Sequence, residues 1–133
     1  MCLSIKVHRP DHILSEGIHL GYEWATSRND FGFRCGYVRV PKGHPWHGEK
    51  YPPDADAHGG ITFADADVPC DKGGPDDAWW LGFDCMHLGD APDPELPTEH
   101  EMPYIVRSGV VRTQAYVEGE CRKLCQQAKE AAG

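Results

Sequence analysis

Histidines supply most of the candidate chemistry in this chain, which holds eight of them among 133 residues. A histidine can bind a ligand, hold a metal ion or move a proton near neutral pH. Four of them fall in or beside the central loops, and binding and catalytic residues concentrate in loops. These four are His44, His47, His58 and His87.

The segment GFDCMHLGD, residues 82–90, joins one of these histidines to two carboxylates. A carboxylate beside a histidine fixes the tautomer of the ring and raises its basicity. Asp84 or Asp90 with His87 would therefore form an acid–base or ligand-binding pair. A hydrogen-bonded turn that only ends a strand explains the same residues equally well.

The segment HGGITF places Gly59 and Gly60 directly after His58. Glycine adopts positive φ at no steric cost and lets a ligand approach the backbone closely. A tight turn before a strand uses the same residues and is the commoner reason for such a pair.

The segment GHPWHG adds His44 and Trp46. A tryptophan in a loop is costly to expose, so its ring either stacks on a ligand or holds the loop against the core. The sequence leaves both interpretations open.

The strand alternation predicts that Asp84 points away from the core, while His87 follows just past the strand end. We predict that His58, Asp84 and His87 line a common site, with Arg34 contributing from the neighbouring strand. Alternatively, Arg34 only neutralises Asp84. The full set of predicted ligand-binding residues is Arg34, His44, Trp46, His58, Gly59, Gly60, Trp80, Asp84, His87 and Asp90.

No cofactor is expected, and zinc is the alternative. The sequence has no C-x₂-C pair, so a structural zinc site is not predicted. If a metal is held, the ligands would be His44, His58 and His87, because catalytic zinc takes three protein ligands. The catalytic residues of any enzyme stay unassigned, since the sequence shows neither a phosphate-binding glycine loop nor a nucleophile elbow.

Hydrophobic periodicity predicts an α+β fold. Strict alternation predicts strands at 18–24, 33–40, about 61–63 and 78–85. The first two would form an antiparallel hairpin, and the last, an almost continuous apolar run, would be paired on both sides. An apolar stripe at three- and four-residue spacing predicts a helix at about 113–131, with Thr113 as its N-cap.

These elements describe a small, mostly antiparallel sheet of about four strands with long loops, packed by one C-terminal helix. The length fits a single domain over residues 1–133, with the sheet and loops at about 15–103. Four cysteines follow the apolar period and are expected to be buried thiols, namely Cys35, Cys85, Cys121 and Cys125.

The net charge of −8 is concentrated in residues 54–101, which carry thirteen acids and one base. Direct binding to nucleic acid is not expected, because it needs clustered positive charge. The acidic region is explained by solvated loops or by a surface for a basic partner.

The sequence shows neither a membrane-length apolar stretch nor a secretory apolar segment. We therefore expect a cytoplasmic protein that does not bind membranes, with all six cysteines reduced. Its oligomeric state is not predicted.

The order of CGYVRVPKGHPWHG, HGGITF and WWLGFDCMHLGD resembles a group of short accessory proteins carried by tailed phages, prophages and other mobile elements. The likeness covers about residues 32–90. It implies an accessory gene product that acts inside a bacterial cell, and it implies no particular activity.

Two classes of function stay open. The favoured one is a protein that binds a host-derived ligand to counter host defence, either a small polar molecule such as a nucleotide signal or a host defence protein. Stacking aromatics and arginines such as Arg34 and Arg39 would serve a nucleotide. The alternative is a small metal-assisted hydrolase, in which a metal activates water and a histidine or aspartate moves the proton.

Overall fold

The structure is a computed structural model that describes residues 2–70, 77–101 and 109–133. Its elements in chain order are α1 (Ser4–His8), a 3-10 turn (Pro10–His12), β1 (Ile13–His19), β2 (Tyr22–Arg28), β3 (Arg34–Val40), β4 (Phe63–Ala66), β5 (Trp79–Asp84), β6 (Asp90–Ala91), β7 (Val110–Val111) and α2 (Gln114–Ala131).

Five strands form an antiparallel sheet in the order β1-β2-β3-β5-β4, and α2 packs against β2 and β3. The predicted α+β fold with a C-terminal helix is confirmed, with five strands in this sheet rather than about four. β5 is paired on both sides, as predicted. The short strands β6 and β7 form a separate parallel pair.

The prediction of one strand at 18–24 is wrong. The chain reverses at Leu20 and Gly21, whose φ angles are 53° and 87°, and this two-residue turn joins β1 to β2. The alternation of apolar and polar residues runs unbroken through the turn, so it does not reveal the reversal. Ile18 is 72% exposed and therefore lies outside the core.

The main core lies between the sheet and α2. The helix begins after the predicted N-cap, because the Thr113 hydroxyl accepts a hydrogen bond from the Tyr116 amide at 3.2 Å. Leu81 and Phe83 of β5 face the helix. The predicted apolar stripe of α2 is fully buried there: Val117, Cys121, Leu124, Cys125 and Ala128. Within the described ranges, no helix is long and apolar enough to cross a membrane.

The opposite face of the sheet is also covered, which the sequence did not predict. Leu3, from the N-terminal segment, is buried against Tyr37 and Trp80. The Trp80 indole donates to Asp67 at 2.5 Å, and Arg39 pairs with the same buried carboxylate at 2.8 Å. Both faces of β5 are therefore core.

The expectation that all six cysteines are thiols is wrong for Cys2 and Cys70, which form a disulfide. Cys2 pairs through its backbone with Val68, so strand-like pairing brings the two cysteines together. They are 68 residues apart in the sequence, a separation at which sequence alone gives no sign of contact.

The other four cysteines are buried thiols, as predicted: Cys35, Cys85, Cys121 and Cys125. Burial raises the pKa of Cys35, Cys121 and Cys125 to about 12, and it raises the pKa of Cys85 as well. Because only the thiolate is a good nucleophile, these thiols are inert.

Candidate functional site: a histidine cluster

Separate segments of the chain meet beside the first turns of α2. The turn after β5 carries His87, and β6 begins with Asp90. The loop before β4 brings His58 to the same place, and β7 leads into α2. We call the resulting group the histidine cluster: His58, Asp84, His87, Asp90, Arg112 and Tyr116.

Asp90 is the buried centre of the cluster, with a side chain that is 1% exposed. Its carboxylate accepts hydrogen bonds from Arg112 Nε at 2.7 Å, His58 Nε2 at 2.9 Å and the His87 amide at 3.1 Å. Burial raises the pKa of Asp90, but the three hydrogen bonds outweigh burial and leave that pKa below its usual value. The carboxylate is therefore ionised at neutral pH.

His58 connects this buried carboxylate to the surface. In the neutral ring, with Nε2–H donating to Asp90, Nδ1 carries the lone pair and accepts a hydrogen bond from the Tyr116 hydroxyl at 2.8 Å. The His58 amide donates to Glu120 at 2.9 Å, which fixes the loop against α2. Tyr116 is 38% exposed, so the chain of hydrogen bonds ends at solvent.

The His87 ring makes fewer hydrogen bonds than the His58 ring. Its Nε2 is buried 3.1 Å from Asp84 Oδ1, yet the approach is too poorly aligned for a hydrogen bond. Its Nδ1 has no hydrogen-bond partner among the described residues, and the side chain is 34% exposed. Asp84 is fixed from the other side by Thr62 Oγ1 and the Met86 amide, at 2.9 and 3.0 Å.

Gly59 is required for this arrangement. Its φ is +70°, and an added Cβ would lie 2.3 Å from the His87 ring. Gly60 also has positive φ, 88°, but a Cβ there would meet nothing within 4 Å. The two glycines therefore form a tight turn, and the first also admits the His87 ring.

The cluster contains two histidine–carboxylate pairs, with the ring centres of His58 and His87 6.0 Å apart. In one pair, both ring nitrogens of His58 are bonded. In the other pair, Nδ1 of His87 is free to meet a ligand, and the Asp84 carboxylate lies near Nε2 on the inner side of the ring. Such a ring can bind a polar ligand or exchange a proton with it.

The structure brings together His58, Gly59, Gly60, Asp84, His87 and Asp90 of the predicted set. Arg34 does not join them, nor does it neutralise Asp84. Its guanidinium binds Asp93, Gln114 and the Arg112 carbonyl at 2.9–3.0 Å. Arg34 and Asp84 are at neighbouring strand ends, but the Arg34 side chain turns toward α2 and the loop after β6.

His44 and Trp46 lie at the other end of α2. His44 Nε2 is 2.7 Å from the Ala128 carbonyl, twelve residues beyond Tyr116 and about 18 Å along the helix. Trp46 is 1% exposed and therefore holds its loop against the core. Because His44 is remote from His58 and His87, these three cannot together hold the metal ion of the zinc alternative.

Trp80 is also excluded from the cluster, because it is buried on the opposite face of the sheet. This position agrees with the predicted strand alternation, which puts Trp80 and Leu81 on opposite faces of the sheet. Its indole is used by Asp67, so the ring serves the second core rather than a ligand.

Sequence reasoning missed Tyr116, Arg112 and Glu120. Tyr116 lies in the first turn of α2, outside the apolar stripe, and nothing in its spacing points to a loop 58 residues earlier. Arg112 follows β7, whose two residues are too few to produce a periodic signal.

One group with metal-ligand geometry exists among the described residues, and it lies elsewhere. It comprises Asp11, His12 and Glu99. Arg28 already binds Glu99 through two hydrogen bonds of 2.9 Å, and His12 Nδ1 is 2.9 Å from the Arg28 carbonyl. The arginine supplies the positive charge that a cation would bring.

A cleft of about 470 Å³ lies on the far side of β6, next to the cluster but separate from it. Phe31 and His100, whose ring centres are 5.8 Å apart, form part of its described lining together with Leu96 and Val111. None of the sequence-predicted site residues lines it.

No family model, curated protein or solved structure matches the chain. Function therefore has to be argued from the histidine cluster itself.

Proposed function

We propose that this protein is an accessory protein of a mobile element that acts in the bacterial cytoplasm by binding a small, polar, host-derived ligand at the histidine cluster. The environment of His87 is the observation that carries the proposal. Polar atoms at or near the interior are nearly always hydrogen-bonded, and an exception calls for an explanation. A ligand that hydrogen-bonds to Nδ1 of His87 and lets the ring rotate into alignment with Asp84 would explain why the ring nitrogens are unpaired.

The charges around the cluster favour a neutral or cationic ligand. Asp84 and Glu120 are acidic, and the positive charge of Arg112 is taken up by Asp90 at 2.7 Å. Arg34, predicted to hold a phosphate, is paired with Asp93. A free phosphate would therefore meet mainly negative charge, which makes a nucleotide signal the less favoured ligand.

The turn that carries His87 also offers apolar contact. Leu88 is fully exposed and Met86 is 40% exposed, on either side of the histidine. A ligand with a polar head for His87 and a nonpolar part for these side chains would use both features, since small-molecule sites combine apolar lining with a few placed polar groups.

The proposal is tested with the small-molecule fraction of a bacterial extract. Wild-type protein, His87→Ala and the control His8→Ala are incubated with it, purified again and denatured, and the released compounds are identified by mass spectrometry. His8 is an exposed histidine of α1, outside the cluster. We expect a compound enriched by wild type and His8→Ala and lost from His87→Ala.

The same result from all three proteins would contradict the proposal, as would enrichment of nothing by the wild type. Phe31→Ala adds a further check, because it alters the separate cleft. Loss of the compound from Phe31→Ala with retention by His87→Ala would move the binding site from the cluster to that cleft.

A further inference from the structure

Asp90, His58 and Tyr116 form a hydrogen-bonded chain that ligand binding by His87 does not need. A buried carboxylate holds one imidazole nitrogen, and the other accepts a hydrogen bond from a hydroxyl that reaches solvent. This order of groups is how enzymes activate a hydroxyl nucleophile, with a base in contact with the hydroxyl and a third group orienting the base.

We propose that Tyr116 is a nucleophile toward neutral, activated acyl esters, with His58 as its base and Asp90 as the residue that positions His58. This activity goes beyond ligand binding by His87 and does not depend on it. Tyr116 and His58 are catalytic residues in this scheme, whereas Asp90 acts through His58.

The tautomer of His58 makes the proton transfer possible. Asp90 accepts from Nε2–H, which leaves the Nδ1 lone pair 2.8 Å from the Tyr116 oxygen. When the phenol proton moves to Nδ1, the resulting imidazolium faces the ionised Asp90. Burial and the negative charge of Glu120 raise the pKa of Tyr116, and the Arg112 guanidinium, 5.5 Å from the centre of the ring, only partly opposes them. The phenol therefore stays protonated until His58 takes its proton.

The reaction is a two-step acyl transfer. The Tyr116 oxygen attacks the ester carbonyl while His58 Nδ1 takes the phenol proton, and the bond to the leaving aryloxide breaks with its electron pair. His58 then gives that proton to the leaving group or to solvent. In the second step, water attacks the acyl-tyrosine with His58 again as base, and the phenol leaves with the proton from His58.

Two features select the substrate class. The acidic surroundings formed by Asp84 and Glu120 disfavour phosphate esters and other anions. Burial raises the pKa of Tyr116 above the ordinary value of about 10 for a phenol, and such a phenol efficiently displaces only groups that leave at least as well as it does. The substrate is therefore an activated ester, such as an aryl ester, rather than an amide.

The test uses 4-nitrophenyl acetate on the full chain at neutral pH, with acetylated tyrosines quantified by peptide mass spectrometry. Tyr51 is the internal reference, because it is 77% exposed and lies outside the cluster. We expect Tyr116 to be acetylated at least about 100-fold faster than Tyr51, the lower end of the range for a positioned base. His58→Gln should remove that difference, whereas Tyr51→Phe should leave the rate at Tyr116 unchanged.

Tyr116→Phe removes only the hydroxyl, so it should fold normally and abolish the fast release of 4-nitrophenolate. Equal acetylation of Tyr116 and Tyr51 in wild-type protein would overturn the proposal, even if His58→Gln failed to fold. Fast acetylation that persists in folded His58→Gln would overturn it as well. In either case, the result with His87→Ala and the bacterial extract would be unaffected.

Discussion

At the scale of single residues, His87 differs from the other inward-facing histidines. His12, His44 and His58 each have a ring nitrogen within 2.9 Å of a protein oxygen, with geometry suitable for a hydrogen bond. His87 is near a carboxylate but poorly aligned with it. A catalytic or binding histidine often has such geometry before its ligand arrives, because alignment tightens only in the complex.

Asp90 is the residue on which the cluster depends structurally. Replacing Asp90 by Asn removes the charge that Arg112 and His58 share, and we expect a loss of about 2–4 kcal/mol in the free energy of unfolding. Asp56→Asn is the control, since its side chain is 84% exposed and 4.0 Å from Lys123. Urea melts at pH 7 measure both, and equal effects would contradict the role given to Asp90.

Glu99 gives a pH-dependent prediction. Hydrogen bonding from Arg28 lowers the pKa of Glu99 from 4.5 to about 2. Because the folded-state pKa is the lower one, Glu99 stabilises the protein above pH 4.5, and this contribution is lost as the pH falls toward 2.

Glu99→Gln should therefore flatten the decline of stability between pH 4.5 and 2 relative to wild type, as followed by urea melts across that interval. Parallel pH profiles for the two proteins would show that the pair with Arg28 does not form in solution.

At the scale of elements, the sequence predicted those with a long, uninterrupted period. β5 and α2 appear within a residue or two of their expected bounds, because each has one apolar repeat and clear ends. The turn at Leu20 and Gly21 was missed, since it preserves the alternation on either side. β6 and β7, with two residues each, are too short to be seen by periodicity.

The candidate site was predictable in part for the same reason. Asp84 and His87 lie at the end of β5, whose position was predicted correctly. The strand after His58 was predicted at about 61–63, but β4 begins at Phe63 and runs to Ala66, so the prediction is shifted by about two residues. The sequence could not show that the Asp90 carboxylate binds the ring of His58 and only the backbone amide of His87. That pairing depends on β7 and the start of α2, which supply Arg112 and Tyr116 from far along the chain.

Packing around β5 provides a test of the fold. Leu81 is fully buried between the sheet and α2, so Leu81→Ala should cost about 2–5 kcal/mol. Ile18→Ala is the matched control, because Ile18 is 72% exposed and should change stability by no more than about 0.5 kcal/mol. Denaturant melts distinguish this arrangement from a single strand at 18–24, which would bury Ile18 and make its loss costly too.

At the scale of the whole molecule, the Cys2–Cys70 disulfide ties the N-terminal segment to the sheet. It closes a loop across 68 residues, so its removal should lower the free energy of unfolding by about 2–4 kcal/mol. Cys2→Ser and a reductant should have the same effect, and the reductant should change nothing further in that variant. Six titratable thiols in unfolded, unreduced protein would show that the disulfide is absent.

This disulfide also bears on where the protein works. Stable disulfides are uncommon in a reducing cytoplasm. Cytoplasmic action therefore stays a proposal, and in that compartment the N-terminal segment would be held by the packing of Leu3 and by the backbone pairing of Cys2 with Val68.

If the histidine cluster is the ligand site of this molecule, the NMR signals of its imidazole rings should respond first when a ligand is added. Ring signals of His58, His87 and His44 are followed while the small-molecule fraction of a bacterial extract is added at constant pH. We predict that the His87 signal shifts most and His58 follows, while His44, about 18 Å away along α2, stays unchanged. Equal shifts at all three, or no shift at His87 while other signals move, would show that the ligand does not bind at the histidine cluster.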